Sequence, residues 1–216
     1  MAAPARETEV YALDANFSVA VFERIAALLL LIVTLPVMVL SGLTIFLLSR
    51  QPPLIAHMRA GQFGRSFWTI KLRTMWKRTR LPRDCRLLEE LIDEIGPEHK
   101  DEFDGRVSNR FARFCRRFSI DELPQFWNVV RGEMSLVGPR PPIRYEFDCY
   151  QLWHRRRVLE AKPGITGVWQ VNGRSRTNFD EMVRMDLHYI RNRSFWFDLK
   201  ILVKTPFAVL SGDGAH

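Results

Sequence analysis

The chain of 216 residues has only three cysteines, Cys85, Cys115 and Cys149, and none forms a CxxC pair. An odd, widely spaced set excludes a disulfide framework. The five histidines, His57, His99, His154, His188 and His216, supply no zinc-ligand spacing with them. Three inert thiols in a reducing compartment are therefore expected. Glycine and proline, 12 of each, are too few for a collagen-like chain, and 47% apolar residues are too many for intrinsic disorder. At this length one principal domain with a packed core is expected. Two local absences carry more. Residues 25–48 contain no charge, and residues 50–80 contain no Asp or Glu. The second stretch holds Arg50, Arg59, Arg65, Lys71, Arg73, Lys77, Arg78 and Arg80. The rest of the chain is then balanced, 24 basic against 24 acidic, so this block carries the whole net charge of +8.

The uncharged run, IAALLLLIVTLPVMVLSGLTIFLL, would measure about 36 Å as a helix, against about 30 Å of bilayer hydrocarbon. A buried soluble helix would show polar punctuation that this run lacks. The preceding residues are weakly acidic and the run exceeds a signal-peptide core, so it is read as a membrane element. Pro36 stands at its middle, after Thr34 and before Ser41-Gly42. A proline there kinks a helix by removing a backbone hydrogen bond. A spanning helix can absorb such a kink, with the Thr34 hydroxyl helping the freed carbonyl, and a re-entrant hairpin can use it to turn back. The basic C-terminal flank places that side in the cytoplasm. The physics of the run leaves both topologies open and leans to a span.

The remainder reads as a domain at the membrane surface. Short apolar runs around Gly61 and Gly64 predict a β-hairpin within residues 51–75. Leu87, Leu88, Leu91, Ile92 and Ile95 share one face of an acidic helix. Phe111, Phe114 and Phe118 interleave a basic segment. Phe179, Met182, Val183, Leu187 and Ile190 predict a helix that Asn178 caps. A last helix is expected from Ser194 to just before Pro206, lying either in the headgroup region or in the core.

Three motifs carry chemistry. In SIDELPQFWNVV, Ser119 and Glu122 have capping-box spacing, while Pro124 prefers the first helical position. The two rules disagree by a few residues, yet both put Asp121 and Glu122 at a helix N-terminus, where the dipole favours anions and free N–H groups bind phosphate. Adjacent carboxylates there could supply a nucleophile and a metal ligand; ordinary first-turn acids would look the same. In MSLVGPRPP, prolines on both sides of Arg140 present a guanidinium with little entropy left to lose. In KPGITGVWQVNGR, the glycines allow close approach to a ligand and Lys162 and Arg174 hint at an anion, although a plain hairpin would explain most of it.

Those motifs, with the upstream KLRTM and the C-terminal FDEMVRMDLHYI and DLKILVKT, resemble the bacterial sugar transferases. These are monotopic phosphoglycosyl transferases that start glycan assembly, exopolysaccharide included, on a polyprenyl (undecaprenyl) phosphate carrier. The resemblance runs from about Phe22 onward, with the motifs in order. It implies an α+β fold, mainly helical, with a re-entrant hydrophobic helix, a short β-hairpin and interfacial amphipathic helices. The corresponding parts are a tail (1–21), a membrane hairpin broken at Pro36 (22–50) and a catalytic domain (51–216), a minimal form without the extra membrane bundle of large members. It further implies that Asp121 attacks a UDP-sugar, that Glu122 with Asp121 holds Mg2+, and that Lys71, Arg73, Arg116, Gln125, Arg140, Lys162 and Arg174 serve the substrate. The chain departs from the family pattern at Leu35-Pro36, where Ser-Pro is usual, and at Ala56-His57, where an Arg-Gln pair is usual.

The implied partners are the UDP-sugar, the polyprenyl phosphate and anionic lipids on the cytoplasmic face of the inner membrane, with a homodimer allowed. A membrane-tethered nucleic-acid binder is the rival reading, but carboxylates among the arginines would repel a phosphate backbone, so no nucleic acid is expected. A non-catalytic scaffold is the third, set apart by lack of turnover. No motif reads the sugar.

Overall fold

The computed structural model describes residues 5–76, 109–172 and 178–211. Its fold is mainly helical with a short antiparallel hairpin, as expected. The acidic helix expected around Leu87–Ile95, Cys85 and Arg174 lie outside the described residues.

The first helix, α1 (Ala5–Ser49), has 45 residues, about 67 Å at 1.5 Å per residue. Its portion Val19–Ser49 is long and apolar enough to cross a membrane. It runs through Pro36 without interruption, so the break expected there is not seen. Proline withholds a donor from the carbonyl of Ile32. The Thr34 hydroxyl does not replace it; it donates instead to the Leu30 carbonyl, at 2.7 Å. The shielded positions of the apolar portion include Ala20, Glu23, Ala27, Leu31, Thr34, Met38, Ser41, Ile45 and Ser49, with Ala26, Gly42 and Thr44 beside them. Their spacing of three or four makes one stripe along the whole helix, on both sides of Pro36. Small and hydroxylated residues dominate that stripe, so other elements come close to the backbone there. Large apolar side chains such as Phe22, Leu29, Val33, Leu40 and Leu47 face outward.

β1 (Leu54–Ala60) and β2 (Ser66–Leu72) form the expected hairpin, with Leu54 opposite Leu72 and Ala60 opposite Ser66. Phe67, Thr69 and Leu72 are buried, whereas Leu54, Met58 and Trp68 are exposed. α2 (Arg110–Arg117) begins where Asn109 accepts from the N–H of Phe111, at 2.7 Å. Phe111, Phe114 and Phe118 stack in sequence, their centroids 6.3 and 4.8 Å apart. A 3-10 turn, Ile120–Gln125, leads into α3 (Phe126–Val130) and β3 (Ser135–Val137). Then follow α4 (Arg144–Cys149), α5 (Leu152–Leu159), β4 (Gly164–Thr166), α6 (Val168–Asn172), α7 (Phe179–Arg191) and α8 (Phe195–Ser211).

α7 matches its expectation: Asn178 accepts from the N–H of Glu181 and closes a capping box. Two expectations fail. Residues 162–172, the described part of that motif, do not make a hairpin; β4 pairs in parallel with β3, and α6 follows at once. A Cβ on Gly164 would collide with the backbone of Gly138. The glycine therefore serves chain-to-chain contact, which local spacing cannot show. α8, opened by the Ser194 hydroxyl accepting from Phe197, passes through Pro206 to Ser211 instead of stopping short. It buries Ile201 but exposes Phe195, Trp196, Val203, Phe207 and Leu210, so it is neither a full core helix nor a detached one. Cys149 is disulfide-bonded, against the expectation of three free thiols; Cys115 is free and buried. Sequence spacing carries no information on that proximity.

Two apolar clusters form the core. One gathers Phe147, Tyr150, Val158, Trp169, Phe179 and Met182 from α4 to α7. The other joins Ala27 of α1 to Phe67, Val129, Val137, Tyr189 and Ile201. The apolar helix is thus part of the same folded body as the domain.

Candidate active site

Asp121 and Glu122 occupy the first turn of the 3-10 segment Ile120–Gln125. Ser119 sits in the left-handed region at φ 53° and makes no side-chain cap. The expected capping box is therefore absent, because an N-cap serine needs extended backbone and because Glu122 is engaged elsewhere. Lys71 Nζ lies 2.8 Å from Glu122 Oε1. Arg140 donates to the same carboxylate through both terminal nitrogens, Nη2 at 3.1 Å and Nη1 at 3.4 Å. One carboxylate so holds an ammonium and a guanidinium fork, all about 15% exposed.

Each partner has a structural reason to be there. Lys71 lies on β2, and buried Asn128 ties that strand to α3: its Nδ2 donates to the carbonyl of Trp68 at 2.7 Å, and its Oδ1 accepts from the N–H of Ile70. Arg140 is carried by a segment pinned to β1. Arg59 Nη1 donates to the Pro141 carbonyl at 2.8 Å, and the N–H of Ala60 donates to that of Pro142 at 3.0 Å. Asn128 and Arg59 received no role from the sequence. A lone asparagine within the apolar run FWNVV was the available signal.

Asp121 is buried beside Glu122. Its charge acts on two neighbours, Lys71 and Cys115. Burial, reinforced by Asp121, pushes the Cys115 thiol up to about 11, while a hydrogen bond with Ser41 of α1 opposes this. The apolar helix therefore reaches the acidic turn directly. Burial holds Lys71 below its usual value; Glu122 and Asp121 pull the other way, and Arg140 and Arg59 add to the lowering. Arg116 is buried in the last turn of α2, three residues before the left-handed Ser119. Gln125 is 4% exposed, and its Nε2 has no hydrogen-bond partner among the described residues. A buried donor without an acceptor suits an anionic ligand.

Not every expected residue joins. Arg73 closes the foot of the hairpin, its Nε donating to the Pro52 carbonyl at 2.8 Å. Lys162 has Glu23, Arg24 and Arg193 as its charged neighbours, at the N-terminal part of the apolar helix. His57 shares a hairpin face with Arg59 and Lys71. Desolvation first, then Arg59, Lys71 and Arg73, lower its pKa. The imidazole is thus held neutral; the structure does not explain the Ala56-His57 departure from the family pattern.

No cluster of three or more His, Cys, Asp or Glu occurs among the described residues. Two adjacent carboxylates nevertheless match the way Mg2+ is held beside phosphates, by one or two carboxylates plus waters and phosphate oxygens.

The bacterial sugar transferase family model matches residues 15–212. A UDP-galactose-lipid carrier transferase of Erwinia amylovora is 40% identical over 204 residues, covering 90% of this chain and 41% of its own. A UDP-glucose:undecaprenyl-phosphate glucose-1-phosphate transferase of Caulobacter vibrioides is 38% identical over 205 residues, 91% of this chain and 71% of its own. An exopolysaccharide production protein, ExoY, of Rhizobium meliloti is 37% identical over 168 residues, 74% and 71% respectively. The chain spans about two fifths of the length of the first and about seven tenths of the other two.

Proposed function

This chain belongs to the bacterial sugar transferase family, and on that premise we propose that it moves a hexose-1-phosphate from a UDP-sugar to polyprenyl phosphate at the cytoplasmic face of the inner membrane. The observation that carries the reading is the buried acid pair Asp121-Glu122 set against Lys71 and Arg140. Phosphoryl transfer needs little covalent work from a protein; it needs a positioned nucleophile and cations around the phosphates.

In the first step an Asp121 oxygen attacks the β-phosphorus of the UDP-sugar. The bond from that phosphorus to the bridging oxygen breaks, and its electron pair leaves with UMP. In the second step a phosphate oxygen of the lipid attacks the same phosphorus and returns the Asp121 carboxylate. Lys71 and Arg140, held by Glu122 in the resting site, are placed to take up phosphate charge, and Gln125 Nε2 offers a further donor. Asp121 and Glu122 would hold Mg2+, which supplies additional neutralisation of phosphate charge when bound.

Membrane placement follows from α1. Glu23 and Gly42, about 28 Å apart along a straight helix, both lie against the same domain, the first at Ser135 and the second at Pro53 and Leu72. A perpendicular span would separate them across the bilayer. This supports both ends of the apolar stretch lying on one face, with the basic hairpin region against anionic headgroups. The decisive experiment is Asp121→Asn in membranes: the folded variant should release no UMP from any of a panel of UDP-sugars. Normal turnover would overturn the mechanism, and the panel would identify the sugar.

A further inference from the structure

Arg140 also lines a second cavity, whose walls include neither Asp121 nor Glu122. It holds about 60 Å3, several times the ~10–15 Å3 that one water needs. A few waters or one tetrahedral oxyanion fit; a nucleoside does not. Besides Arg140 its walls include Arg59, Glu146, Tyr150, Arg157 and Trp169. Arg157 and Trp169 are 2% and 4% exposed. Arg157 Nε and Trp169 Nε1 are buried without a hydrogen-bond partner among the described residues, although Arg157 spends Nη1 on Asp186 at 3.0 Å and also hydrogen-bonds the Tyr150 side chain.

An indole N–H and a guanidinium can only donate. Burial pushes the Tyr150 hydroxyl up, so it keeps its proton. Of the three guanidiniums, Arg140 is paired with Glu122, Arg157 with Asp186, and Arg59 donates to the Pro141 carbonyl, while Glu146 accepts from the N–H of Ile143 as a helix cap, at 3.1 Å. Two buried donors on the walls, Arg157 Nε and Trp169 Nε1, still call for an acceptor. We propose that this cavity is an oxyanion site that takes a phosphate group next to Arg140. Resting on the transferase reading, that group is either a phosphate of the nucleotide or free inorganic phosphate.

The test uses the full chain in nanodiscs and isothermal titration with inorganic phosphate, with UMP, and with chloride at matched ionic strength. Trp169→Phe keeps the ring and loses the N–H; it should weaken phosphate binding about tenfold, as loss of a hydrogen bond to a charged group does. Glu146→Gln keeps the helix cap, since glutamine serves equally in that position, and removes the repelling charge. It should tighten phosphate binding several-fold. If UMP affinity follows phosphate in both variants, the source is the nucleotide; if phosphate alone responds, the site serves the free anion. Phosphate affinity unchanged in both variants means that the cavity holds water only, which overturns the proposal. Should Trp169→Phe not fold, Glu146→Gln decides alone. Binding is read without turnover, so a chain that binds phosphate as expected yet releases no UMP would sink the transferase reading and leave the anion site standing.

Discussion

Lys71 is the residue at which burial and charge compete most directly. Desolvation lowers its pKa, and the carboxylates of Glu122 and Asp121 only partly restore it. The ammonium therefore loses its proton below the usual 10.5, and Glu122 loses its nearest cation in the same range. The pH profile of kcat/KM should accordingly show an alkaline limb below 10.5, which Lys71→Arg should move upward because guanidinium stays charged. Unfolding would not explain that limb through Lys71 itself. With the folded pKa lowered, the unfolded chain binds more protons, so this group's contribution to stability rises with pH up to about 10.5. A profile identical in wild type and Lys71→Arg would show that another group titrates.

At the scale of elements, two contacts hold the site together from behind. The parallel β3–β4 contact fixes the segment that leads into Arg140, and it depends on Gly164 lying against Gly138. Gly164→Ala should lower both stability and activity. Gly42→Ala should be mild, since its Cβ would meet Pro53 only at 3.6 Å. Thermal melts of the two variants side by side test this, and equal effects would refute it. Behind the second cavity, Arg157 and Asp186 form an ion pair 2% and 1% exposed. Burial pushes Asp186 up to about 6, with Arg157 opposing. Asp186→Asn strands a buried guanidinium and should cost about 3–5 kcal/mol by denaturant titration, whereas replacing both residues with apolar ones should cost much less.

These elements differ in how far the amino-acid order announces them. α7 repeats its apolar residues with helical period and starts on Asn178, so its place follows from local chemistry. The hairpin and the acidic turn are likewise local events. The β3–β4 pair is three residues against three, with partners almost thirty residues apart, and no periodicity marks it. α8 continues through Pro206 because the lost hydrogen bond is one among many in a helix packed through Ile201. Lys71 lies in β2 and Arg73 just past its end, two apart in one basic block, yet one meets Glu122 and the other meets a backbone carbonyl. Residue type drew the list of cations; only the place where β2 ends divides them.

For the molecule as a whole, the apolar helix and the domain share one core, and the joint is polar as well as apolar. Glu23 accepts from the Ser135 hydroxyl at 2.6 Å and lies 3.7 Å from Arg193. Arg24 packs against Gly132, which stands at φ 77°, a backbone conformation that favours glycine. At the other end of the stripe, Ser41 meets Cys115 and Ile45 is fully buried. Detaching the first end would leave Glu23 without Ser135 and Arg193, and detaching the second would leave Cys115 without Ser41. Stranding Glu23 in hydrocarbon is the costlier outcome, since charges at bilayer depth are strongly disfavoured. The net charge of +8 points the same way, because its block begins at Arg50, directly after α1. In spheroplasts, a cysteine introduced by Ala15→Cys should thus resist an impermeant thiol reagent added outside. It should react only after permeabilisation, together with a cysteine introduced by Arg65→Cys on the hairpin. Labelling of residue 15 from outside while residue 65 stays protected would mean that α1 spans, and that the contacts of Glu23 with Ser135 and Arg193 are not made in the membrane.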